Sequence, residues 1–167
     1  FAGFNMPVQY EGVTVEHLCV RNGVGVFDVS HMGEFFVRGA GATDFIQKIT
    51  SNDVSKLFDG KVQYSCFPNL NGGIVDDLLV YRITEDVYML VVNASNIEKD
   101  WSWIRKFVTS DVELVNKSED ISLLAVQGPK SAEALQSLTD INLTNMPYYT
   151  FKKGSFEGLD NILISNT

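Results

Sequence analysis

The chain has 167 residues, 45% of them hydrophobic and 20% charged, with 13 basic against 21 acidic side chains and a formal net charge of -8. That size suits one domain or two lobes sharing a core, and the acidic balance argues against non-specific binding to nucleic acid or to an anionic membrane. No apolar run reaches the roughly 18 residues of a spanning helix, and the opening FAGFNMPVQY lacks the basic and apolar segments of a signal peptide.

Residues 13–22, VTVEHLCVRN, carry apolar positions at helical spacing and are closed by Gly23, read as a left-handed cap. FDVSHMGEFFVRG then reads as an irregular lead-in followed by a strand over 33–37, where Phe35 and Val37 share a face. ATDFIQKIT is a short amphipathic helix with Phe45, Ile46 and Ile49 on one side. A β-meander follows: VQYSCFPN, a turn at 69–73, IVDDLLVYRI, and VYMLVVN after Glu85-Asp86. Ser95 and Glu98 fit a capping box for a helix striped by Trp101, Ile104 and Phe107. VELVN and ISLLAVQ read as strands, Pro129 opens a helix through Leu138, and residues 147–151 and 160–165 are the last strand candidates. Strands, helix, strands, helix implies an α+β fold: antiparallel or mixed sheets with helices packed on one face.

Cys19 and Cys66 stand far apart outside any CxxC pattern, which in a chain without a secretion signal implies a reduced, intracellular protein. Only His17 and His31 join them, with no ligand spacing, so no metal site is expected. The start without Met and the apolar alternation of the closing LDNILISNT imply a piece of a longer protein.

Three clusters carry candidate chemistry. In GGIVDDLLVY, alternation puts Ile74, Asp76, Leu78 and Val80 on one strand face and Val75, Asp77, Leu79 and Tyr81 on the other. Both faces are mostly apolar. Either the carboxylates are solvated at the strand mouth beside Gly72-Gly73, or the covered one needs a donor, a cation or a ligand. In DVSHM, His31 is either an acid or base near neutral pH or a loop histidine satisfying backbone groups. Asn93-Ala94-Ser95 ends a buried strand, where loops hold ligands, although Ser95 is equally a helix cap. There is no GxSxG, P-loop, GxGxxG or HExxH. An acidic strand-end site with amide and aromatic neighbours suits a polar, nitrogen-rich small ligand.

MPVQY at 6–10, VGVFDVSHMGEF at 24–35, TSNDV at 50–54, NGGIVDDLLVYR at 71–82 and LLAVQGP at 123–129 together resemble the aminomethyltransferase (T-protein) family of the glycine cleavage system, over nearly the whole chain. The resemblance implies an incomplete two-lobe, folate-binding fold, with residues 1–50 and 140–167 in the first lobe and 51–139 in a ferredoxin-like second lobe. The family's C-terminal half, with a GYTGE-like motif whose Glu grips the pterin, would follow. The implied reaction takes the aminomethyl group from the dihydrolipoyl arm of the lipoylated H-protein, releases ammonia and forms 5,10-methylenetetrahydrofolate. Tetrahydrofolate would be the co-substrate and H-protein the partner, in a bacterial cytoplasm or a mitochondrial matrix.

By the same resemblance Asp77 is the catalytic carboxylate beside the reacting folate nitrogens. Met32 and Tyr64 would line the pocket, Val91 would lie beside the ring and Asn93 would bond its polar edge; Tyr64 stands where relatives can carry Leu. His31 would stand behind the pocket and Asp76 would be structural or solvated. This chain alone is expected to bind tetrahydrofolate weakly and to be inactive. Rival expectations are a non-enzymatic folate-binding protein of iron-sulfur assembly, the folate domain of a dimethylglycine or sarcosine dehydrogenase, and a binding module without chemistry.

Overall fold

The computed structural model describes residues 3–167; Phe1 and Ala2, which begin the FAG segment, lie outside the described residues. In chain order the elements are α1 (Val13–Asn22), β1 (Gly25–Asp28), β2 (Gly33–Arg38), α2 (Ala42–Ile49), β3 (Val62–Pro68), β4 (Ile74–Thr84), β5 (Val87–Val92), α3 (Ile97–Ile104), β6 (Glu113–Asn116), β7 (Leu124–Gln127), α4 (Ser131–Gln136), β8 (Thr150–Phe156) and β9 (Leu159–Asn166). The strands form a five-stranded sheet ordered β3-β4-β5-β2-β6 and the two-stranded sheets β1-β7 and β8-β9. Every strand pair is antiparallel, as the α+β expectation requires.

The chain divides into two compact units: one runs to His31 and resumes over Ser122–Asn166, and the other is Met32–Ile121. These boundaries differ from residues 50 and 139. The reason is β2: it bonds to β5 on one side and β6 on the other, so it lies inside the large sheet despite falling among the first fifty residues.

In the Met32–Ile121 unit, strand alternation divides the sheet cleanly. Phe35, Val37, Phe67, Leu78, Val80, Tyr88, Leu90 and Val92 share one face and are buried in a single cluster with Phe45, Ile46 and Ile49 of α2 and Ile104 of α3. Phe35 meets Trp101 at a ring separation of 5.0 Å. Both helices therefore cover the same face, and each buried aliphatic side chain contributes roughly 1.5–3 kcal/mol. The other face carries Tyr64, Asp77, Leu79, Met89, Val91 and Glu34, by the registers Tyr64↔Leu79, Leu79↔Val91 and Glu34↔Val91.

The meander turns as its residues dictate. The Asn69 side chain accepts from the Asn71 and Gly73 N–H groups at 2.9 and 3.0 Å, and Gly72 takes a positive φ of 79° that a glycine adopts without steric cost. Pro68 sits at a register shift at the end of edge strand β3, a position where its missing N–H breaks no ladder bond.

Several local expectations are corrected. Gly23 does not take a left-handed cap: its φ is -141°, with its N–H on the Cys19 carbonyl and its own carbonyl receiving the Lys130 N–H. No residue of α1 is buried; the helix start is instead tied by the Glu16 carboxylate, which accepts from the N–H groups of Tyr10, Glu11 and Gly12 at 2.6–3.0 Å. The Ser95–Glu98 capping box is absent, because Ala94–Asn96 forms a 3-10 turn and Asn96, not Ser95, precedes α3. Helix α4 spans only Ser131–Gln136, since the Gln136 side chain turns onto the Thr139 and Ile141 carbonyls and the Leu143 N–H.

Two strand expectations are also corrected. The lead-in at Gly25–Asp28 is a strand paired with β7. The C-terminal candidates are one hairpin, longer than expected, closed by Glu157-Gly158 with φ of 47° and 76°, the positive pair of a type I′ turn.

Among the described residues four polar ones are buried: Thr50, Ser65, Glu34 at 1% exposure and Asp100 at 0%. Neither carboxylate oxygen of Glu34 or of Asp100 meets a hydrogen-bond donor among the described residues. Burial raises Glu34 from the ordinary 4.5 to about 7. Burial, with the adjoining Asp76 carboxylate, raises Asp100 from 3.8 to about 8. Each therefore binds its proton more tightly in the folded chain than in the unfolded one. That contribution is complete below the ordinary carboxylate range and is lost as pH rises through about 7 and about 8, at no more than about 1.4 kcal/mol per pH unit per group. Denaturant unfolding is expected to give lower stability at pH 8 than at pH 5, with Glu34→Gln and Asp100→Asn each flattening the difference; equal stability at both pH values would contradict the buried neutral acids. Leu90→Ala, at a site with 0% exposure, is expected to cost about 2–5 kcal/mol in the same measurement.

Candidate functional site

The carboxylates of Asp76 and Asp77 lie where β4 emerges from the Asn69–Gly73 turn. Cross-strand partners are Phe67 for Asp76 and Cys66 for Asp77. Asp76 thus shares the helix-covered face with Phe67 and Leu78, and Asp77 shares the other with Tyr64, Leu79 and Val91. Both are half-buried, so neither is the freely solvated strand-mouth carboxylate that the turn alone allowed.

Asp77 is held from two sides. The Tyr64 hydroxyl donates to its Oδ2 at 2.7 Å, and the Asn93 amide donates to its Oδ1 at 2.9 Å. Tyr64, a residue 54% exposed, reaches it from neighbouring edge strand β3. Asn93 reaches it from the end of β5, where Val92 pairs with Leu78 and leaves Asn93 opposite the carboxylate pair. Charge-assisted bonds of this kind run stronger than neutral ones and fix the acceptor's direction.

The same Asn93 nitrogen also lies 3.2 Å from both carboxylate oxygens of Asp76 and 3.2 Å from the Asp77 carbonyl. Burial alone would raise Asp76, but the polar groups around it, Asp100, Asn96, the Asn93 amide and the Asp77 N–H, outweigh burial and hold this carboxyl below its ordinary range. Asp76 is therefore held in its charged form, with the Asn93 amide as a donor to its carboxylate. Asp100 projects from α3 into this group, and Lys99 of the same helix donates to the Val75 carbonyl at 2.7 Å.

The remaining expected site residues fall as follows. Val91 is buried at 8% exposure between Leu79 and Glu34 in a cross-strand row. Met32 is half-buried immediately before β2, whose Gly33 pairs with Val92. Tyr64, Asp77, Val91, Asn93 and Met32 all belong to the Met32–Ile121 unit. His31 belongs to the other unit, where its ring lies 6.4 Å from Phe4 and its charge is a minor cause, after the Ser30 hydrogen bonds, of the lowered Asp28.

Asp100 and Glu34 escaped the reading of the sequence. The signal for Asp100 was present: Ile97, Asp100, Trp101 and Ile104 share one helical stripe, and a carboxylate in an apolar stripe must be neutral or paired. Glu34 gave a fainter one, standing between Met32 and Phe36 in the row opposite Phe35 and Val37. Among the described residues no group of three metal-ligating side chains is assembled, and no helix is long and apolar enough to cross a membrane. A depression on the β8-β9 hairpin, lined by Lys153, Ser155, Asp160 and Asn161, contains none of the groups above.

The chain is 65% identical over all 167 residues to an aminomethyltransferase of Flavobacterium psychrophilum and 63% identical to one of Bacteroides fragilis, in each case covering 46% of the relative. It thus spans about half the length of the curated relatives it matches. Among solved structures, the glycine cleavage system aminomethyltransferase T of Bartonella henselae superposes with a TM-score of 0.82 at 33% identity, covering 90% of this chain and 42% of that one. A chain of the heterotetrameric sarcosine oxidase of Corynebacterium sp. U-96 shares the fold alone, with a TM-score of 0.61 at 14% identity over 92% of this chain and 76% of that one. The family model described as the GCVT N-terminal domain matches residues 1–167, and the chain belongs to that family.

Proposed function

We propose that the protein containing this chain is the tetrahydrofolate-dependent aminomethyltransferase of the glycine cleavage system, and that Asp77 is its catalytic carboxylate. The observation that carries this reading is a carboxylate fixed by Tyr64 and Asn93 on a largely apolar sheet face beside Val91, in a chain whose relatives are named aminomethyltransferase.

The chemistry asks little of the protein beyond positioning and charge. The aminomethyl carbon leaves the sulfur of the dihydrolipoyl arm on the H-protein, ammonia departs, and the same carbon ends as the methylene bridge between two folate nitrogens. Cationic iminium-like character develops at that carbon on the way. A carboxylate already oriented and partly desolvated stabilises that charge without reorganising at the moment of reaction. No nucleophile is required, consistent with a site built from a carboxylate, an amide, a phenol and apolar side chains. Tyr64 and Asn93 fix the direction of the Asp77 oxygens. Met32 and Val91 supply apolar surface for the flat pterin, and Asn93 also has a carbonyl oxygen to offer its polar edge.

The identity to curated relatives named aminomethyltransferase supports the transferase over a non-enzymatic folate-binding protein of iron-sulfur assembly or a dehydrogenase folate domain. In the complete protein, Asp77→Asn keeps the shape of the site and removes its charge. Turnover with aminomethylated H-protein is expected to fall by about 10² to 10³ while tetrahydrofolate affinity, measured by calorimetry, changes by less than about tenfold. Near-normal turnover would remove Asp77 from the mechanism, and loss of folate binding in step with turnover would make it a binding residue only.

A further inference from the structure

We propose that Asp100 is a positioning residue for Asp77, acting through Asp76 and Asn93; this rests on the reading of Asp77 given above. The starting point is an imbalance around one side chain. The Asn93 amide nitrogen carries two hydrogens and faces four acceptors: Asp77 Oδ1 at 2.9 Å, and the Asp77 carbonyl and both Asp76 carboxylate oxygens at 3.2 Å. Two hydrogens cannot serve four acceptors, so the competing charge on Asp76 decides how firmly Asn93 is aimed at Asp77.

Asp100 is the group that sets that competition. It is fully buried on the core-facing stripe of α3, and neither of its oxygens meets an N–H or O–H donor. Its neighbour in the network is the Asp76 carboxyl. Two adjoining carboxyls in such a place hold one proton between them. Asp100, the more buried, keeps it and donates to Asp76, spreading the Asp76 charge and leaving an Asn93 hydrogen for Asp77.

Without that proton, Asp76, Asp77 and Asp100 would be three adjoining anions. The donors that face them are the Asn93 amide and Asn96 beside Asp76, the Tyr64 hydroxyl from β3 on Asp77, and Lys99 on α3, whose ammonium is engaged by the Val75 carbonyl. The upward displacement of Asp100 by burial and by Asp76 agrees with the neutral form at neutral pH.

The test uses the complete protein as wild type, Asp100→Asn and Asp100→Leu, with two readouts. The first is kcat and folate KM from pH 6 to 9. Wild type is expected to lose kcat on the alkaline side as Asp100 gives up its proton. Asp100→Asn, which carries a donor at every pH, loses that limb. Asp100→Leu, with no donor, drops kcat by about tenfold or more at pH 7, the scale of one lost orienting hydrogen bond, while KM moves less than about threefold; Asp100→Asn recovers most of that drop. The second readout is independent of turnover: NMR of the Asn93 side-chain amide, expected to shift with the titration of Asp100 in wild type and to stay still in Asp100→Asn.

An Asn93 resonance that ignores pH, or identical kcat-pH profiles for wild type and Asp100→Asn, overturns the proposal. If Asp100→Leu does not fold, the Asp100→Asn profile and the NMR titration decide it. Failure of the Asp77 reading has a different signature: full turnover by Asp77→Asn leaves the Asn93 titration to judge Asp100 by itself.

Discussion

One amide nitrogen organises the site. Adjacent residues on a strand project to opposite faces, so Asp76 and Asp77 would ordinarily have no common partner. Asn93 gives them one because it stands just beyond the last ladder pair of β5, Leu78 with Val92, where the chain is leaving the sheet and its side chain reaches both carboxylates at 2.9–3.2 Å. That contact fixes the direction of Asp77 and ties Asp76 to the same side chain.

The two faces of the sheet have different tasks. The face under α2 and α3 is a closed apolar cluster in which Phe35, Leu90 and Val92 have 0% exposure, and it makes the strand positions rigid. The opposite face is built on that rigidity and is chemically mixed, with Asp77 and Tyr64 toward the edge strand and Val91 and Glu34 toward the centre. A side chain placed on a packed strand keeps its direction more faithfully than one on a loop. Asp100, fully buried on α3, brings a carboxyl into the helix-covered side of the sheet, the side that Asp76 also faces.

The fold itself does not dictate the chemistry. A sarcosine oxidase chain at 14% identity shares it, whereas relatives named aminomethyltransferase share well over half of the residues of this chain. The distinction resides in particular side chains on a common frame, which is why the hydrogen-bond geometry around Asp77, and not the sheet order, supports the functional reading.

Local pattern was sufficient for elements whose burial repeats at their own period. The run from VQYSCF through VYMLVV, with Asn69 and Gly72 in its turn, reads as a meander, and Phe45, Ile46 and Ile49 read as one buried helical face; both are as the chain folds. The motif spacing was enough to identify the family. Pattern failed where a partner distant in sequence supplied the missing bonds. β1 exists because Gly25–Asp28 pairs with residues a hundred positions later, and the end of α4 is set by what Gln136 finds in the following loop. The division of the chain likewise turned on β2 being bonded into the middle of the large sheet. The amino-acid order alone determined that two neighbouring carboxylates would stand on a strand with apolar faces. Only tertiary packing decided which donors met them, because Tyr64 comes from β3 and Asn93 from the end of β5, and no periodicity within one segment encodes where another segment will place its polar atoms.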